Sequence, residues 1–176
     1  MPEPIHSSTR RSISSRKGKR RGGRKVRTEV SAGGLVFRKT KRGVQIAMLR
    51  DAFGHWTFPK GHVRRLETLR QAAEREIGEE LGVTTLVYAG ALGTIDIWFK
   101  DRFVWKGMMI HKFIHYFLFE ASKDQKLVPP AHAEEGERIL AVTWVPLEKV
   151  SRWSTYRDLQ PMIEKAVAIL GRAQHL

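Results

Sequence analysis

The chain contains no cysteine, so neither a disulfide framework nor a cysteine-ligated zinc can hold its fold. No apolar run approaches the ~20 residues that a membrane-spanning helix needs, and the N-terminal stretch lacks the apolar core of a secretory leader. These absences point to a reducing, cytoplasmic setting and exclude a membrane partner. The Ser/Arg-rich start overlaps with organelle transit peptides, but Pro2, Glu3, Pro4 and the lack of an amphipathic apolar face argue against that reading. Acidic residues are also scarce, with 18 Asp/Glu against 32 Lys/Arg and a formal net charge of +14 over 176 residues. Anionic partners are therefore expected.

The charge is unevenly spread. Residues 1–28 hold ten Lys/Arg against Glu3 alone and almost nothing apolar. Such a segment cannot bury enough surface to offset its ordering entropy, so 1–28 is expected to be a disordered basic tail. It would serve either as a solubilising extension or as an arm for nucleic acid or another polyanion. Residues 29–176 are expected to form one domain, for which an overall 41% hydrophobic content supplies a core.

Periodicity places strands at Glu29–Arg38 and Val44–Arg50 around a turn at Lys41–Gly43, and Gly33 and Gly34 mark close backbone approach. Trp56–Gly61 reads as a short strand running into a loop, Leu66–Leu81 as a helix and Val83–Gly93 as a strand. Trp98–Gly107 reads as a hairpin tip with exposed aromatics, and Met108–Glu120 as an apolar central strand. A polar loop at Ala121–Gly136, a strand at Ile139–Val145 and an amphipathic helix at Tyr156–Leu170, stopped by Gly171, complete the chain. Strands and helices mix without βαβ alternation, so the fold class is α+β.

The richest stretch is Gly61–Val83, GHVRRLETLRQAAEREIGEELGV. On a helix, Leu69, Ala73, Ile77 and Leu81 form an apolar ridge, while Glu76, Glu79 and Glu80 fall within an arc of about 100° on another face. Like charges at that spacing repel by a few tenths of a kcal/mol per pair, and a divalent cation reverses the sign. Hard oxygen donors without Cys or paired His select Mg2+, or Mn2+, over zinc. Arg75 can pair with Glu79 at i+4. Three glutamates alone would still read as a solvated acidic face.

They are not alone. Gly61, Glu67, Arg75, Glu76, Ile77, Glu79, Glu80, Gly82 and Val83 match the signature of the Nudix hydrolases at every fixed position: Gly, five residues, Glu, seven residues, Arg-Glu, an aliphatic residue, any residue, Glu-Glu, any residue, Gly, an aliphatic residue. The resemblance covers about residues 29–170. It implies a mixed sheet sandwiched between helices, and hydrolysis of a phosphoanhydride bond in a nucleoside diphosphate-linked substrate. It implies that Glu76, Glu79, Glu80 and the Gly61 carbonyl hold metal, that Glu67 supports the loop and that Arg75 orients the carboxylates. The general base is then Glu76, Glu79 or a loop glutamate; Glu134, Glu135 and Glu137 offer themselves, with Glu137 preferred because it lies nearest the following strand. The Pro-Gly turn often found before the first glutamate is replaced here by Arg64-Arg65-Leu66, which leaves Arg64 and Arg65 as surface charges or substrate contacts.

The flanks bear on the substrate. Trp56-Thr57-Phe58-Pro59-Lys60-Gly61-His62, Ser31-Ala32-Gly33-Gly34 and Lys112–Leu118 resemble the bacterial diadenosine tetraphosphate hydrolases. That resemblance implies phosphate contacts from Lys60 and Lys112, a place for Tyr116 near the metal or substrate, and a base stack on Trp98 and Phe99. For Tyr116, core packing in a buried strand is an equal alternative. The preferred substrate is a dinucleoside polyphosphate, diadenosine tetraphosphate, cut to ATP and AMP. Rivals are an oxidised nucleoside triphosphate as for MutT, an RNA 5′ end and a diphosphoinositol polyphosphate. A non-catalytic nucleotide- or RNA-binding module is the rival of another class. The oligomeric state is not legible.

Overall fold

A computed structural model describes residues 26–102, 104–131 and 138–172. Strand β1 (Val26–Thr40) turns through 41–42 into β2 (Gly43–Arg50), with Thr40 opposite Gly43. The strand begins at Val26, ahead of the Glu29 expected from composition. Two short strands follow, β3 (Trp56–Thr57) and β4 (Lys60–His62), separated by Phe58 and Pro59; Pro59 has no N–H to give a ladder. Helix α1 (Leu69–Leu81) leads to β5 (Val87–Lys100) and β6 (Met109–Glu120). The chain continues as β7 (Ala141–Pro146), a short helix α2 (Val150–Trp153), a 3-10 turn at Arg157–Leu159 and α3 (Gln160–Arg172). Among the described residues no helix is long and apolar enough to cross a membrane.

The strands make one mixed sheet in the order β3-β2-β1-β6-β5, with β4 also paired to β1 and β7 to β2. β1 and β6 run parallel from Val26↔Met109 to Phe37↔Glu120, and the other pairs are antiparallel. On one face α1 packs Ala72, Ala73, Ile77 and Leu81 against Ala32, Val36, Ala47 and Phe119. On the other, α3 sets Met162, Ile163, Ala166 and Leu170 against a core that includes Leu35, Ile46, Met48 and Leu118. Each fully buried aliphatic side chain contributes about 1.5–3 kcal/mol, and both layers are needed because each sheet face is apolar. The sandwich is the α+β arrangement that the motif implied.

Three local readings are corrected. Helix α1 starts at Leu69 rather than Leu66, because Thr68 caps it: the Thr68 side chain accepts from Gln71 N–H, and Gln71 accepts from Thr68 N–H. The region expected to give a strand to Gly93 and a hairpin tip from Trp98 is one strand, Val87–Lys100. Bulges at Gly90 (φ 143°) and Gly93 (φ 140°) re-register it on β6, and the strand runs on to Lys100. At the C-terminus the helix begins at Gln160, with Pro161 in its first turn where its missing N–H costs nothing, and it runs past Gly171 to Arg172.

Candidate active site

Between α1, β4 and the far halves of β5 and β6 lies a cleft of about 1110 Å³. Its carboxylate wall begins at α1. Ile77 and Leu81 are fully buried under the helix, which turns Glu76, Glu79 and Glu80 toward the cleft. Glu76 is itself 9% exposed, a burial that a carboxylate tolerates only when paired.

Arg75 does the pairing. Its Nη1 lies 2.5 Å from Glu76 and 3.0 Å from Glu79, its Nε donates to Glu67 at 2.6 Å, and its Nη2 donates to Glu67 at 3.0 Å and to the His62 carbonyl at 2.9 Å. One guanidinium thus ties three carboxylates and the end of β4 into a single piece, using the planar fork that only Arg offers. The hydrogen bonds from Arg75 and then from Arg64 N–H hold the Glu67 carboxyl down at about 2. Glu67 therefore stays ionised and anchors the loop, just ahead of the helix rather than within it. Leu66, beside it, is the described non-glycine residue with positive φ, at 73°, and is 94% exposed.

Gly61 explains itself by contact. A Cβ placed there would meet the Glu76 carboxylate at 2.0–2.4 Å, so that carboxylate occupies the space of the missing side chain, against the Gly61 backbone. Next to it, Lys60 N–H donates to Glu80 at 3.1 Å. Arg64 Nη2 lies 3.1 Å from Glu79, and so the residue that replaces the usual Pro-Gly turn reaches the carboxylate wall. Gly33 and Gly34 let β4 and α1 close on β1: a Cβ on Gly33 would sit 2.2 Å from the Pro59 carbonyl, and one on Gly34 would sit 2.7 Å from Ile77 Cδ1.

The facing wall comes from the sheet. Ile95, Ile97 and Phe99 on β5 and Lys112, Ile114 and Tyr116 on β6 line it. Tyr116 is 1% exposed; burial, reinforced by Glu80 and Tyr156, pushes its phenol well above the usual range and keeps it protonated. Burial lowers the Lys112 pKa, nearby Lys60 adds to the effect, and Glu29 and Glu76 oppose it. Two lysines thus converge on one region opposite the glutamates. Trp98 takes no part: strand alternation turns it to the other face of the sheet, where it stacks on His111 with centroids 3.8 Å apart. Of the expected aromatic pair, the structure brings only Phe99 into the cleft. Glu137, together with Glu134 and Glu135, lies outside the described residues.

A third group went unread in the sequence. Tyr156 O–H donates to Asp51 at 2.7 Å, and the other Asp51 oxygen accepts from Phe53 N–H at 3.0 Å and His55 N–H at 2.9 Å. This ties the β2–β3 loop to the chain before α3 and sets Phe53 and Tyr156 at the cleft mouth. The turn chemistry of Asp51-Ala52-Phe53-Gly54 was a usable local signal; its partner 105 residues away was not.

Among the described residues, no three acidic or histidine side chains are gathered into a ready-made metal shell, because arginines and a backbone N–H hold the carboxylates. The donor set nonetheless fits a hard divalent cation: three carboxylates on one wall, with the buried one seated on the Gly61 backbone.

The sequence profile of the NUDIX domain matches residues 27–166. A Mycobacterium tuberculosis protein named as a mutator protein, MutT4, is 34% identical over 180 residues, covering 97% of this chain and 67% of that protein. The asymmetrical bis(5′-nucleosyl)-tetraphosphatase of Caenorhabditis elegans is 26% identical over 152 residues, covering 80% of this chain and 96% of that protein. A crystal structure of a C. elegans Ap4A hydrolase binary complex superposes with a TM-score of 0.64 at 24% identity, covering 82% of this chain and 98% of that one. That likeness shows the shared fold.

Proposed function

The chain belongs to the Nudix family of pyrophosphohydrolases, and we propose that its substrate is a dinucleoside polyphosphate, diadenosine tetraphosphate, cut to ATP and AMP with magnesium. One observation carries the choice: a single cleft sets three glutamates and Lys60 against a wall of Lys112 and apolar side chains that ends in Phe99, with Phe53 and Tyr156 at its mouth. Its volume of about 1110 Å³ exceeds the roughly 300–1,000 Å³ usual for a compact ligand, which suits a substrate with a long phosphate chain. The similarity to the C. elegans tetraphosphatase supports the same reading.

In this reading, Lys60 and Lys112 bind phosphate oxygens. A phosphate beside Lys112 offsets the burial that disfavours its charged form. Arg75 holds Glu76 in register with Gly61. Nudix hydrolases use divalent metal, and Glu76, Glu79, Glu80 and the Gly61 carbonyl would hold magnesium, which supplies charge neutralisation at the phosphates and activation of water. The water oxygen attacks phosphorus, the anhydride P–O bond breaks, and the departing phosphate carries the electron pair away. Among the described residues, the water's proton is best taken by Glu79, 48% exposed and facing the cleft; Glu137 is the alternative from the loop. Phe99, Phe53 and Tyr156 offer faces to a nucleobase.

The name of the M. tuberculosis relative favours a second reading, an oxidised nucleoside triphosphate as substrate. The deciding experiment follows substrate loss and product formation by chromatography, with magnesium and then with EDTA, on diadenosine tetraphosphate, 8-oxo-dGTP, ADP-ribose and a 5′-triphosphorylated RNA. Dominant, metal-dependent release of ATP and AMP is expected. Preference for 8-oxo-dGTP would replace the substrate and keep the chemistry.

A further inference from the structure

The sheet ends in two unequal edges. At one end lies β3, 2 residues long and too short to template another strand. At the other lies β5, which runs for 14 residues and, among the described residues, pairs with β6 alone. The bulges at Gly90 and Gly93 bend its first half, which protects an edge. Beyond them the register is unbroken from Thr94↔His115 to Lys100↔Met109. Among the described residues, no backbone hydrogen bond reaches the outer side of this stretch. It holds neither Gly nor Pro, and Thr94, Ile95, Ile97, Trp98 and Phe99 all favour strands. Trp98 is 54% exposed and Phe99 39%. Such an edge is built to accept a further strand.

The side chains say which strand fits. Thr94, Asp96, Trp98 and Lys100 share one face, and Ile95, Ile97 and Phe99 share the other, toward the cleft. Asp96 and Lys100 are evenly spaced about Trp98 and opposite in charge. An antiparallel copy of the same segment, related by a two-fold axis through Trp98, sets Asp96 opposite Lys100 of the second copy, Trp98 opposite Trp98, and Ile97 opposite Phe99. Side chains so opposed have Cβ atoms about 4.5–5.5 Å apart, where unlike charges attract and like charges repel. The Asp96 side chain is 52% exposed, beside His111 Nε2 at 3.2 Å, and so is free to meet a neighbour. Moving the axis to Ile97 would set Asp96 against Trp98 and Lys100 against Thr94, with neither charge answered. A lysine on an edge repels most strands; a second copy brings an acid to the matching place. The contact uses the same edge of both molecules, so assembly closes at two.

We propose that Thr94–Lys100 is a self-recognition edge, through which two copies of the chain pair antiparallel and continue one sheet across both. The seam asks nothing of the glutamate wall and goes beyond the reading given for the cleft.

A seam of one strand pair lies at the small end of specific interfaces, so association in the micromolar range is expected. Sedimentation velocity on the full chain, from about 1 to 500 µM, should show the mass rising from one chain toward two and no further. Asp96→Lys opposes two lysines across the seam and Lys100→Asp opposes two aspartates, and each alone should weaken association at least about tenfold. Mixed in equal amounts, the two variants should associate about as the parent does, because each supplies the charge that the other lacks. A misfolded variant could not do this. The chain has no cysteine, so Trp98→Cys places a sole thiol on the two-fold axis. Under mild oxidation it should form a disulfide-linked dimer at least about tenfold faster than Thr94→Cys, which is exposed on the same face but lies far from its own copy. A chain that stays single at the highest concentration overturns the proposal. So does association that either charge reversal leaves unchanged, a mixture of the two that stays apart, or equal cross-linking from positions 94 and 98.

Discussion

Along the carboxylate wall of the cleft, every group lies between Lys60 and Glu80, and each is fixed by its neighbours: Glu67, Glu76 and Glu79 by Arg75, Glu80 by Lys60 N–H, Glu76 by the missing side chain of Gly61. The facing wall gathers Phe99 from β5, Lys112 and Tyr116 from β6 and Tyr156 from the chain before α3. The sheet holds the first three, and Asp51 holds Tyr156. The first wall is thus sensitive to single atoms and suits chemistry. The second is sensitive to strand register and suits recognition, since its flat apolar surface binds without reacting.

The sharpest way to break this contrast is Glu79→Gln, which keeps the shape of the side chain and removes its charge. If Glu79 takes the water's proton as proposed, kcat falls about 10²–10⁴-fold, with the melting temperature little changed because Glu79 is half-exposed. Steady-state kinetics and a thermal melt on the same sample decide it. A near-parental rate would show that the wall does not carry the chemistry.

Phe99→Ala beside Trp98→Ala tests the other wall and its register. The two residues are adjacent, yet strand alternation sends one into the cleft and the other to the far face. Losing a stacking surface worth about 1.4 kcal/mol raises KM for diadenosine tetraphosphate about tenfold in Phe99→Ala, with kcat nearly held. Trp98→Ala should leave both constants within about twofold of the parent. Reversed effects, with Trp98→Ala raising KM and Phe99→Ala leaving it unchanged, would mean that β5 sits one residue out of the register Phe99↔Ile110.

The same difference explains what could be read beforehand. The carboxylate wall was legible because its order is local: a helix converts spacing into a face without further information, so Glu76, Glu79, Glu80, Arg75 and Gly61 could be named from one stretch of sequence. The motif also carried the fold, a mixed sheet between helices. The facing wall was legible as residue types only. Lys112 and Tyr116 could be named, but which of Trp98 and Phe99 looks inward depends on the bulges at Gly90 and Gly93 and on pairing with β6, and no pattern within 98–99 encodes that. Tyr156 with Asp51 required contact between chain segments 105 residues apart. The apolar pattern runs on through Leu66, whereas the Thr68 capping box starts α1 three residues later, at Leu69.

The smallest effect distinguishes anchoring from chemistry within the carboxylate wall itself. Glu67 belongs to the same arginine network as Glu76 and Glu79, but its two oxygens are taken up by Arg75 and Arg64 N–H, so it supports structure. Its carboxyl is held at about 2, well below the 4.5 of an unperturbed glutamate. A folded pKa below the unfolded one stabilises the protein fully above the unfolded value, and that contribution is lost as pH falls through 4.5 toward 2. Thermal melts followed by circular dichroism should therefore show Glu67→Gln less stable than the parent at pH 7, with the gap closing between pH 4.5 and 2. Near pH 2 the two proteins should melt together. A gap that stays constant over that range would mean that the charge of Glu67 contributes nothing to the fold, and that Arg75 is held by Glu76 and Glu79 alone.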